Sequence, residues 1–171
     1  ARSNLDWRSA ANVQCSVPGF SASTGDLTGA AVTITQTTWS VQSLENREKT
    51  AATLSSKLYG DTKLSVAGTQ VLTDRLELAR ATFSAGAYDG TTDFSGISGK
   101  TMDVYTKTQS LSGPANMSLF LDKTSVALRA ELITEWTCSG AGNAACNSDS
   151  DASATMKVVY TYTPHPIDLV A

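Results

Sequence analysis

Polar and apolar residues alternate along most of this chain, most cleanly toward its C-terminal end. From Val126 to Trp136 one face reads Val126, Leu128, Ala130, Leu132, Thr134 and Trp136. The other reads Ala127, Arg129, Glu131, Ile133 and Glu135. A period of two with charges on one side predicts a half-buried antiparallel strand. The pattern repeats from Ala152 to Tyr162, with Ala154, Met156, Val158, Tyr160 and Tyr162 opposed to Ser153, Thr155, Lys157 and Thr161. These two segments are expected to pair as a long hairpin through the loop between them.

Earlier strands are expected at Ala31–Leu44, with Val32, Ile34 and Gln36 on one face, and at Thr50–Leu58. Others fall at Leu64–Val71 and Leu72–Phe83, about a turn at Gly68, and at Lys100–Ser110. Residues 76–81 have good helix propensity, but their neighbours are all strand-like and the segment is assigned to β. Breaks rich in Gly, Ser and Asp separate the runs: Gly25-Asp26, Gly60-Asp61, Asp89-Gly90, Gly96–Gly99 and Ser112-Gly113-Pro114. Roughly seven to ten short strands without long helices predict an all-β fold. The expected form is one antiparallel β-sandwich over 1–171, jelly-roll or Greek-key-like, with extended arms at 1–7 and 165–171.

Composition then narrows the setting. Charged residues are only 17% of the chain, with Thr, Ser, Ala and Gly in their place, as in β-rich extracellular proteins. A net charge of −3 argues against a nucleic-acid partner, which calls for a basic face. No apolar run is long enough to span a membrane as a helix. The start at Ala1-Arg2-Ser3 fits a chain trimmed after export. Cys138 and Cys146 flank a flexible small-residue stretch and are expected to form a disulfide, two reduced thiols being the alternative. Cys15 is left over, read as a buried small hydrophobe rather than a bridge to another chain.

Catalytic chemistry finds few footholds. The one histidine, His165, stands between Pro164 and Pro166 in the tail, a poor place for a base that needs a rigid shell. Three cysteines and that histidine lack the paired spacing of a zinc site. Calcium is the cofactor to weigh: Asp89 and Asp93 flank a glycine turn, and Asp149 and Asp151 sit in a polar loop. The competing and favoured reading of Asp89 and Asp93 is that each closes its own turn. Trp7, Trp39 and Trp136 could stack on sugar rings. Trp136 is in register with Leu128 and Leu132 and is assigned to the core, while Trp39 could face either way.

Four segments together resemble the choice-of-anchor E domain, a family of exported bacterial surface proteins. They are Phe20-Ser21-Ala22-Ser23-Thr24-Gly25-Asp26-Leu27-Thr28-Gly29, Leu44-Glu45-Asn46, Tyr88-Asp89-Gly90-Thr91-Thr92-Asp93-Phe94-Ser95-Gly96-Ile97-Ser98-Gly99 and Val159-Tyr160-Thr161-Tyr162-Thr163-Pro164. The resemblance runs from about Asp6 to Pro164. It implies export and display at a surface or in matrix, often before a PEP-CTERM sorting tail, and no catalytic step. Beside such domains the N-terminus looks one strand short, and a sandwich lacking an edge strand would accept one from a neighbour. Ile167, Leu169 and Ala171 alternate as a donor strand needs; Leu5 and Trp7 form the other candidate arm. The expectation is therefore a non-enzymatic, extracellular or cell-surface structural subunit of a filament, sheath or biofilm matrix, assembling with itself by donor-strand exchange. The alternative is a monomeric adhesin or carbohydrate-binding module.

Overall fold

A computed structural model describes the backbone of residues 5–102 and 105–166, and side chains from residue 12 within that range. The strands are β1 (Leu5–Val17), β2 (Gly25–Asn46), β3 (Ala52–Val66), β4 (Thr69–Ala85), β5 (Gly99–Thr101), β6 (Tyr105–Pro114), β7 (Val126–Ser139) and β8 (Ala144–Pro164). One sheet has the order β1-β7-β3-β4. In the other, β2 is central, with β8 along one side and β5 and β6 in succession along the other. All these pairings are antiparallel, and the sheets pack as an all-β sandwich. Among the described residues no helix is long and apolar enough to cross a membrane.

The strands differ from the sequence expectation in length and in partners. Thr50–Leu58 and the start of Leu64–Val71 are one strand, β3, which turns through Ala67 (φ 48°) and Gly68 (φ 82°) into β4. Two left-handed residues match the twist of a tight hairpin. The segment of helical propensity lies inside β4, as assigned. The expected hairpin between the last two strands is corrected. Both sides of β7 are taken, by β1 and β3, and β8 pairs with β2 in the opposite sheet from Gly25↔Pro164 to Asn46↔Ala144. Periodicity reports which face a residue occupies and says nothing about which strand lies alongside.

The Cys138–Cys146 disulfide, with Cα atoms 6.6 Å apart, therefore joins the end of β7 in one sheet to the start of β8 in the other. Gly140 makes the crossing at φ 124°, where a Cβ would lie 2.0 Å from the Thr53 carbonyl oxygen. Bridging so short a loop stabilises the fold by roughly 2–3 kcal/mol through the unfolded state.

The interior holds two apolar clusters. One gathers Val32, Ile34, Leu64, Val66, Phe120, Leu128 and Leu132; the other gathers Leu44, Leu54, Leu58, Leu78, Trp136 and Cys138. Each fully buried Leu, Ile or Val contributes about 1.5–3 kcal/mol. Between the clusters runs a polar band of Gln36, Thr38, Ser40, Gln42, Ser56, Thr62 and Thr134, all buried. Ser56 donates to Gln42 and Thr62 to Gln36, linking the sheets through their side chains.

Candidate functional site

The four segments that carry the resemblance meet in pairs at opposite ends of β2. At its start Phe20 packs its ring 5.7 Å from Tyr160 and 5.1 Å from Tyr162. Tyr160 also donates to the Pro18 carbonyl at 2.8 Å, and burial raises its phenol above the ordinary range. At the other end Glu45 and Asn46 are fully buried beneath the 86–99 loop. Glu45 Oε2 accepts the Phe94 N–H at 2.7 Å, while its Oε1 has no hydrogen-bond partner among the described residues. Asn46 donates to the carbonyls of Thr50 (2.8 Å) and Gly86 (2.7 Å) and accepts the Glu48 N–H (3.0 Å). Gly99 is compelled by the contact: a Cβ there would sit 2.0 Å from Glu45 Oε2.

The calcium candidates do not converge. Asp89 accepts the Thr91 N–H at 3.1 Å, and Asp93 accepts the Ser95 N–H at 2.9 Å and its hydroxyl at 2.8 Å. Each carboxylate closes its own turn. Asp149 and Asp151, expected in a polar loop, instead lie within β8 opposite Val41 and Trp39. Among the described residues no three His, Cys, Asp or Glu side chains are grouped to hold a metal. His165 is exposed, 3.3 Å from the Asp26 carboxylate.

The two outer faces differ in chemistry. That of the β1-β7-β3-β4 sheet is charged. There Arg75 donates to Asp61 (2.9 Å) and Glu135 (3.3 Å) across three strands, and the Glu135 bond is the chief cause holding its guanidinium above the usual range. Beside it the Arg80 hydrogen bond keeps the Glu77 carboxyl below its ordinary value. The outer face of the β2 sheet is instead laid with hydroxyls. Thr33, Thr35 and Thr37 of β2 stand beside Ser112, Ser110 and Thr108 of β6 at 2.7, 2.7 and 2.8 Å, and Thr155 and Ser153 of β8 continue the rows. Trp39 stands on this face, half-buried, between Asp151 and Thr106. Trp136 is buried in the core, as its register implied.

Four edges are unpaired among the described residues: β1 and β8 along one side of the sandwich, β4 and the successive β5 and β6 along the other. Exposed edges invite pairing with other chains, and proteins guard them with bulges and charges. β4 is guarded by a bulge at Leu78 and by Arg75, Glu77 and Arg80. β6 carries Lys107 on its inward side, opposite Thr38, and ends at Pro114. β8 is the long exception: from Ala152 to Thr163 its one charge is Lys157. Of the expected arms, Leu5 and Trp7 belong to β1 and pair with Cys138 and Trp136 of their own sheet. Ile167, Leu169 and Ala171 lie outside the described residues.

Two cavities lie among the described residues. One of about 110 Å³ opens between β4 and β6, where Ser40 Oγ and Gln42 Nε2 lack partners. It has room for a few waters at about 30 Å³ each and is below the roughly 300–1,000 Å³ of ligand pockets. The other, a groove of about 450 Å³ along Gln14, Ser16, Ala127 and Arg129, is lined by Cys15. The sequence reading of Cys15 as buried is corrected: the thiol is exposed, because β1 is an edge strand with little packed beyond it. Native protein should therefore take up one maleimide per chain, read by mass spectrometry, and Cys15→Ser should take up none.

These features define an all-β sandwich with open edges, one charged and one hydroxylated face, and a disulfide joining its sheets. No protein-family model matches the sequence, and no curated protein is similar to it at a significant level. Among solved structures the chain has 11% identity and a TM-score of 0.26 to dimeric latent PorU from Porphyromonas gingivalis, covering 76% of this chain and 10% of that one. The infectious bursal disease virus Gx strain structure gives 12% identity and a TM-score of 0.23, covering 95% and 40%. T=1 particles derived from that virus give 12% and 0.16, covering 95% and 41%. The chain thus spans well under half of each, and similarities this low carry no argument about its function.

Proposed function

We propose that this protein is an exported, non-enzymatic structural subunit of an extracellular filament, sheath or matrix, of the choice-of-anchor E type. The observation that carries the reading is the pair of open edges on each side of the sandwich. Each edge offers a row of unpaired backbone donors and acceptors to an incoming strand. A disulfide over a short loop agrees with an oxidising compartment. With Leu5 and Trp7 engaged in β1, the donor is the C-terminal segment bearing Ile167, Leu169 and Ala171. Its acceptor is an unpaired strand edge of the next copy, and head-to-tail donation propagates as a filament. Negative-stain microscopy of the full chain should give regular filaments that deletion of Pro166–Ala171 abolishes. A monodisperse species at 17.9 kDa from the full chain would overturn the reading.

One observation favours a second reading, glycan binding at the cell surface. Trp39 is set among hydroxyls, beside the carboxylates of Asp149 and Asp151, a mix of aromatic ring and polar groups that suits a sugar ring and its hydroxyls. Under this reading Trp39→Ala removes signal on a glycan array, while the Pro166–Ala171 deletion leaves it intact.

A further inference from the structure

The free edge of β8 has the charge pattern of a strand that pairs with itself. We propose that two copies join through antiparallel β8–β8 pairing about a two-fold axis at Ala154, a contact that rests on the self-assembly reading above and adds to it a second interface. In that register Lys157 of each copy lies directly opposite Asp151 of the other, and Thr155 lies opposite Ser153. Both charged pairs fall on the outer, hydroxylated face, where Lys157 and Asp151 already point. Directly opposed residues on one face stand about 4.5–5.5 Å apart at Cβ, and Asp149 lies on the diagonal from Lys157 at about 7–8 Å.

The inward side agrees. Met156 of one copy meets Ala152 of the other, with Ala154 against itself on the axis, so small and flexible side chains occupy the junction. All three are half-buried against the apolar cluster between the sheets and would be covered further. Neither Lys157 nor Asp151 has an ion-pair partner among the described residues, so the pairing does not disrupt an existing salt bridge. Shifting the axis by one residue, to Ser153, would set Met156 against Ser150 and Thr155 against Asp151, losing the apolar match.

A two-fold contact uses the same patch on both copies and closes at two. It joins the two β2 sheets into one sheet running from β6 through β2 and β8 to the partner copy's equivalents, with a continuous hydroxyl face. Edges other than β8 stay free for the terminal arm, so dimers become the repeating unit of the filament.

Sedimentation velocity of the Pro166–Ala171 deletion tests the contact apart from the arm. A dimer is expected, weakened at least about tenfold by Lys157→Asp or by Asp151→Lys, since each places two like-charged pairs across the axis. The double variant should restore it, a rescue that a folding defect would not give. In a Cys15→Ser background, Ala154→Cys should oxidise to a covalent dimer. A monomeric deletion protein, single variants without effect, a double variant without rescue, or stronger crosslinking from Ser153→Cys than from Ala154→Cys would each overturn the proposal.

Discussion

Trp136→Ala is expected to destabilise the domain by about 3–5 kcal/mol, measured as a lower urea midpoint at unchanged slope. Trp136 is 2% exposed and packs with Leu44, Leu54, Leu58 and Leu78, in the cluster at the disulfide end of the sandwich. Two strands of its own sheet, β1 and β3, flank it, and they hold the walls of the cavity that Ala would leave. Trp136→Phe should cost much less, under about 1.5 kcal/mol. Phe refills most of the volume, and it removes an indole N–H that has no hydrogen-bond partner among the described residues, a group whose burial is itself costly. Equal losses for the two variants would show that the smaller Phe ring does not refill the space of the indole.

Asn46→Ala is expected to cost about 3–5 kcal/mol, because it strips partners from three backbone groups at once. The Thr50 and Gly86 carbonyls and the Glu48 N–H all bond to this one fully buried side chain. Asn46→Asp retains the acceptor for Glu48 but presents carboxylate oxygens to the two carbonyls, so it should be no milder. Hydrogen exchange should locate the loss first in residues 86–99, the loop that Asn46 and Glu45 hold over the end of β2. A variant that melts with exchange in that loop unchanged would show that the clamp acts on β2 alone.

These two sites also differ in how far the sequence revealed them. Trp136 was legible, since a residue in step with Leu128 and Leu132 must share their face once the segment is a strand. Glu45 and Asn46 were marked only by resemblance. No pattern of hydropathy announces a buried carboxylate and amide, because their burial depends on backbone groups delivered from forty and more residues away. The polar band was legible only in Gln36, in phase with Val32 and Ile34, and in Thr134, in phase with Leu132 and Trp136. That Gln42, Ser56 and Thr62 would lie across from one another depended on how the sheets stack.

The misreadings have a common source. β8 was expected beside β7 because the two follow each other in the chain, yet β1 and β3 already saturate both edges of β7. Asp149 and Asp151 looked like loop residues because the solvated face of an edge strand has the composition of a loop. Cys15 looked buried because it is small and apolar, although edge strands leave inward side chains uncovered.

By itself, then, the sequence determined the all-β character, the core-facing side of the strands that carry Val32, Leu54, Leu128 and Met156, and the turn at Gly68. Those follow from a period of two and from local backbone preferences, which act over a few residues. Tertiary structure alone decided which strands are neighbours, which are edges, and which hydroxyls and charges share a surface. Backbone hydrogen bonds between strands are the same for every residue type, so partners are chosen by how two whole faces fill the space between them.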